Sequence, residues 1–90
     1  EYEMNDMRTR IDEMLEDLKQ ERDELQVRLH LAKLETSEEW QKLEAKMGKF
    51  ESKAKQLGSV TAEASKDMGR AAKLLGEEIR DGFKKIARTL

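Results

Sequence analysis

Residues 43–75 read LEAKMGKFESKAKQLGSVTAEASKDMGRAAKLL. Within them Leu43, Met47, Phe50, Ala54, Leu57, Thr61, Ala64, Met68, Ala71 and Leu75 recur at alternating steps of four and three. That spacing keeps one apolar seam on one side of a helix and faces it toward a neighbouring helix. Upstream, Met4, Met7, Ile11, Met14 and Leu18 keep the same alternation, and Leu15 opens a second frame through Leu18, Arg22, Leu25, Leu29, Ala32 and Thr36. The steps Thr36, Trp40, Leu43 and Met47 carry an extra residue, which reads as a stutter where the supercoil unwinds. Beyond Leu75 the pattern relaxes to Ile79, Phe83, Ile86 and Leu90, nearer an eleven-residue repeat.

The composition agrees with an all-α chain of coiled-coil type. It is 42% charged and 37% hydrophobic, with no Pro and no Cys in 90 residues. Lack of proline permits long helices. Lack of cysteine removes disulfides and thiolate ligands. One domain is the limit for this length, and small domains bury a low fraction of their surface. The apolar runs are too short for a transmembrane span or a signal-peptide core, which points to the cytoplasm. The chain opens Glu1-Tyr2-Glu3, so residues 1–3 read either as a remnant ahead of a native start at Met4 or as a cut from a longer protein.

Charge is unevenly spread. Residues 1–45 hold 14 acidic and 7 basic residues, and residues 46–90 hold 6 acidic and 11 basic. The acidic half repels nucleic acid, and no nucleic-acid partner is expected. The natural complement of this gradient is a second copy, antiparallel. Pairs of acid and base at i,i+4 (Asp6–Arg10, Glu24–Arg28, Glu38–Lys42, Glu51–Lys55, Asp81–Lys85) support the helices by about 0.3 kcal/mol each.

A turn is expected at 58–61, because Gly58 suits a helix C-terminus and Ser59 a new start. This divides the domain, 1–90, into a long acidic-to-mixed helix at 4–57 and a basic C-terminal helix at 62–90. Thr36-Ser37-Glu38-Glu39 has a capping-box pattern with Thr36 and Glu39 and is the second choice for a turn. Gly48 reads as a helix-interior glycine. Beside the third seam lies a stripe of small residues, Gly58, Ala62, Ser65, Gly69, Ala72 and Gly76, which permits close backbone approach. Two adjacent packing faces on one helix suit a bundle of three or four helices. The expected architecture is a helical hairpin or bent helix packing as an antiparallel homo-oligomeric bundle, a dimer before a tetramer. The self-association seam comprises Met7, Ile11, Met14, Leu18, Leu25, Leu29, Leu43, Met47, Phe50, Leu57, Met68, Leu75, Ile79, Phe83 and Ile86.

Catalysis is not expected. A triad needs an oriented base beside a nucleophile, and the only histidine is His30. One His and no Cys do not make a zinc site, and Gly48-Lys49 lacks the flanking residues of a phosphate loop. No catalytic, metal or cofactor-binding residue is assigned, and no cofactor. His30 reads as a residue bordering the seam, with a pH-sensitive contact as the sharper alternative. Trp40 is a candidate interaction anchor, weighed against simple packing at the stutter. Arg22 and Thr36 are polar seam positions able to set register. The function that follows is structural: a self-associating coiled-coil module acting as scaffold, spacer or tether. One alternative is a membrane-surface binder acting through residues 68–90, whose apolar face is flanked by Lys84, Lys85 and Arg88 but interrupted by Glu77, Glu78 and Asp81. Another is a helical regulatory partner of a larger protein.

The segment His30-Leu31-Ala32-Lys33, the Glu39-Trp40 pair that follows and the later Leu75-Gly76-Glu77-Glu78-Ile79 resemble a group of small bacterial helical proteins, over most of the chain from Met4. The resemblance implies a bacterial, cytosolic coiled-coil protein. It supplies no activity and no site residues.

Overall fold

The computed structural model describes residues 2–34 and 36–90, with side chains from residue 7 onward except at 35 and 62. Met4, Asp6 and Ala62 therefore lie outside the described side chains. Three helices follow one another, α1 (Tyr2–Leu31), α2 (Glu38–Gln56) and α3 (Ala62–Thr89). They pack as one bundle 46 Å long and 16–18 Å across. α1 and α3 run parallel and in direct contact, α2 runs antiparallel to both, and most of the interhelical contact runs through α3.

The continuous helix expected over 4–57 is thus two helices: the chain reverses between Leu31 and Glu38, at the second-choice turn, and Trp40, Leu43 and Met47 of the stutter lie within α2. The cause is local. Leu34 N–H donates to Leu29 O at 2.8 Å and Lys33 N–H donates to His30 O at 3.1 Å, with Lys33 at φ 61°. This pair of bonds around a left-handed residue is the Schellman closure of a helix C-terminus. A glycine ordinarily fills the left-handed position, and here a lysine does. The restart is capped by Ser37, whose Oγ accepts the Trp40 N–H at 3.4 Å, and not by Thr36. Glu38 and Glu39 then sit in the first turn, where their charge suits the helix dipole.

The second reversal falls across residues 57–61, where the sequence placed it, but its parts differ. Thr61, not Ser59, caps α3, accepting the Ala64 N–H on Oγ1 at 3.3 Å. Ser59 Oγ instead donates to Gln56 O. Gly58 takes no left-handed conformation. Its missing side chain leaves room for the Arg8 guanidinium, which would lie 3.0 Å from a Cβ there.

The core runs the length of the bundle. Leu18, Trp40, Met47, Phe50, Ile79 and Phe83 are its largest fully buried side chains. The small-residue stripe of α3 is where α1 lies. Ser65, Gly69, Ala72 and Gly76 are buried, and side chains added at Gly69 and Gly76 would overlap the sulfurs of Met7 and Met14. The other flank of α3 meets α2: a side chain at Gly82 would overlap Leu43, and Trp40 stacks tilted on Phe83 with ring centroids 5.7 Å apart. The small stripe read from the sequence is thus a packing face, whereas of the seam beside it Met68 and Leu75 are only half-buried and Thr61, Ala64 and Ala71 are exposed; both neighbours of α3 are helices of the same chain.

Candidate interaction surfaces

Each residue expected in a self-association seam lies in the chain's own interior. Ile11, Leu18, Leu25, Leu29, Leu43, Met47, Phe50, Leu57, Ile79, Phe83 and Ile86 are buried, and Met7, Met14, Met68 and Leu75 pack half-buried against them. Covering these side chains requires no second chain. Trp40, the candidate anchor, is 1% exposed and belongs to the core. A ring enclosed in this way fills the bundle and offers no surface to a partner. Arg22 pairs with its neighbour Asp23 at 3.3 Å. Thr36 is exposed, and its carbonyl accepts a bond from Gln41 Nε2. His30 is exposed on the last turn of α1.

The apolar face of 68–90 is likewise turned inward, through Ile79, Phe83 and Ile86. Among the described residues no helix is long and apolar enough to cross a membrane, and no group of three or more His, Asp or Glu side chains is placed to hold a metal ion.

The surface that the sequence reading passed over is the outer face of α1. Thr9, Asp12, Glu13, Glu16, Asp17, Gln20, Asp23, Glu24, Val27 and Leu31 occupy the arc opposite the buried stripe, and all are exposed. Shallow depressions mark both ends of this face, one lined by Thr9, Asp12, Glu13, Glu16 and Asp17, the other by Asp23, Gln26, Val27, His30 and Leu31. The arc holds six carboxylates and no Lys or Arg. Among the described residues only Asp23 of these six makes an ion pair, with adjacent Arg22. Asp12–Glu16 and Glu13–Asp17 are like charges at i,i+4, each costing a few tenths of a kcal/mol. Past Asp23 the face becomes apolar: Val27 is 61% exposed and Leu31 78%, with Leu34 exposed beyond them. The signal was present in the sequence as acids at 12, 13, 16, 17, 23 and 24. It shows as a face only once the seam fixes which side of α1 points out.

The outer side of α2 has the opposite character. Lys42 and Lys49 are exposed and Lys53 half-exposed, beside Ala45, Gly48 and Ser52. A side chain added at Gly48 would meet nothing within 4 Å. Lys42 pairs with Glu38 at 3.6 Å in a largely solvated bridge. Ion pairs between helices run Lys19–Glu51 and Lys46–Glu78, so α2 joins both neighbours. A cleft of about 520 Å³ between α1 and α3 is lined by Met7, Ile11 and Met14 with Arg10, Glu13, Asp17, Lys73 and Arg80. Its charges are of both signs and favour no single ligand class.

No protein-family model, curated protein or solved structure matches this chain.

Proposed function

We propose that the chain is a structural or interaction protein, a small helical module that works through its outer faces, by self-association, as a scaffold, spacer or tether. The observation that carries this reading is the outer face of α1. Exposed Val27, Leu31 and Leu34 adjoin a run of carboxylates that lack partners in the described chain, apart from Asp23. The fold gains nothing from that arrangement. Contiguous apolar groups rimmed by charge mark interaction sites more often than idle surface. The resemblance to small bacterial helical proteins supports a bacterial, cytosolic setting for the module.

Light scattering on the purified chain tests the proposal. A mass above the 10.5 kDa of one chain, rising with concentration in the micromolar range, is expected. A single-chain mass at every concentration would rule out self-association.

A further inference from the structure

We infer that the outer face of α1 docks, antiparallel, on the lysine-bearing outer side of α2 in a second copy of the chain. The inference rests on the self-association proposed above and names its surfaces.

The acids most turned toward the α2 side of α1 are Asp12, Glu16 and Asp23, at steps of four and seven. Read backward, α2 presents Lys53, Lys49 and Lys42, also at steps of four and seven. Helices laid antiparallel therefore bring the three acids level with the three lysines in one register. Slipping by a helical turn breaks at least one of the pairs. Lys49 and Lys53 make no ion pair among the described residues, and Lys42 makes only the solvated one with Glu38. Alongside the lysine row, exposed Ala45 and Ser52 keep the surface low, and farther round the helix a side chain at Gly48 would meet nothing within 4 Å. Beyond Asp23, Val27 and Leu31 extend the face toward the end where α2 of the second copy begins, beside that copy's Leu34. A contact of this kind is steered by charge and weakened by salt. It also relieves the like-charge pair Asp12–Glu16.

The test uses the full chain with two charge-reversed triples, D12K/E16K/D23K and K42E/K49E/K53E, each checked for helicity by circular dichroism. Mass is measured for each alone and for the two mixed. The expected result is association of the wild type that weakens at high salt, loss of about tenfold or more in affinity for either triple alone, and recovery on mixing. The neutral triple D12N/E16Q/D23N, which keeps the helix surface nearly isosteric, is expected to fall between. Wild-type association unchanged in both triples would overturn the docking while leaving self-association intact. Loss in the acid triple with none in the lysine triple would overturn the α2 lysines as the surface that receives α1 and place the contact on another part of the second copy. A wild type that stays monomeric would overturn both this docking and the self-association on which it rests.

Discussion

α3 makes two contacts of different texture. Toward α1 it offers glycines, and methionine side chains of α1 lie across them, Met7 over Gly69 and Met14 over Gly76. Toward α2 it meets stiff groups, with Phe83 against Trp40 and Gly82 against Leu43. Methionine is unbranched and fills irregular gaps, so the first contact has room to adjust. Rings and branched side chains adjust little, so the second defines the core shape. Gly76 stands at the junction, close to both the Met14 sulfur and the Phe50 ring.

The sharpest way to break the α2 side is W40A, which removes a ring only 1% exposed. A loss of about 3–5 kcal/mol is expected, read from the midpoint of urea unfolding. A domain of this size holds only about 5–10 kcal/mol in all, so the variant should sit near its unfolding transition. G82A comes next. Its methyl group would overlap Leu43, and a cost of about 1–3 kcal/mol from overpacking should exceed the helix-propensity gain. G48A on the outer side of α2 meets nothing within 4 Å, so the propensity term stands alone and should raise stability by about 1 kcal/mol. G69A should change stability least: the added methyl would overlap Met7 Sδ and Cγ, so the unbranched side chain must rotate from Cγ outward, and the propensity gain offsets that shift. If G69A proved as costly as G82A in the same unfolding measurement, the two contacts would not differ as described.

Much of this fold was legible in the residues. The steps of four and three picked out the buried side chains of α1 and α2, and Ile79, Phe83 and Ile86 of α3, but over 61–75 they ran through exposed Thr61, Ala64 and Ala71, while Ser65, Gly69, Ala72 and Gly76 beside them are the buried ones. The small stripe announced a close helix neighbour, and the two adjacent faces on α3 announced a bundle. The periodicity was assigned to a second copy, whereas helices of the same chain supply the neighbours, because a seam looks the same whether it is covered from within or from outside. The first reversal, at the stretch ranked second for a turn, was not placed first for a definite reason. Its left-handed residue is Lys33, where the expected signal is glycine, and helix-favouring residues flank it on both sides. Gly58 sent the signal and marked the right place, yet it serves Arg8 rather than a left-handed turn. The outer face of α1 was visible only as scattered acids until burial fixed the helix's orientation.

The placing of α3 last in the chain also orders events during synthesis. α1 and α2 each bury their stripes mainly against α3, and Met7 meets Gly69 across most of the polypeptide's length. At roughly 5–20 residues per second, the N-terminal stripe leaves the ribosome seconds before the helix that will cover it. For that interval the nascent chain carries its apolar seams open to water. A ribosome stalled before Gly69 would display them to whatever chaperone, or neighbouring nascent chain, lies within reach.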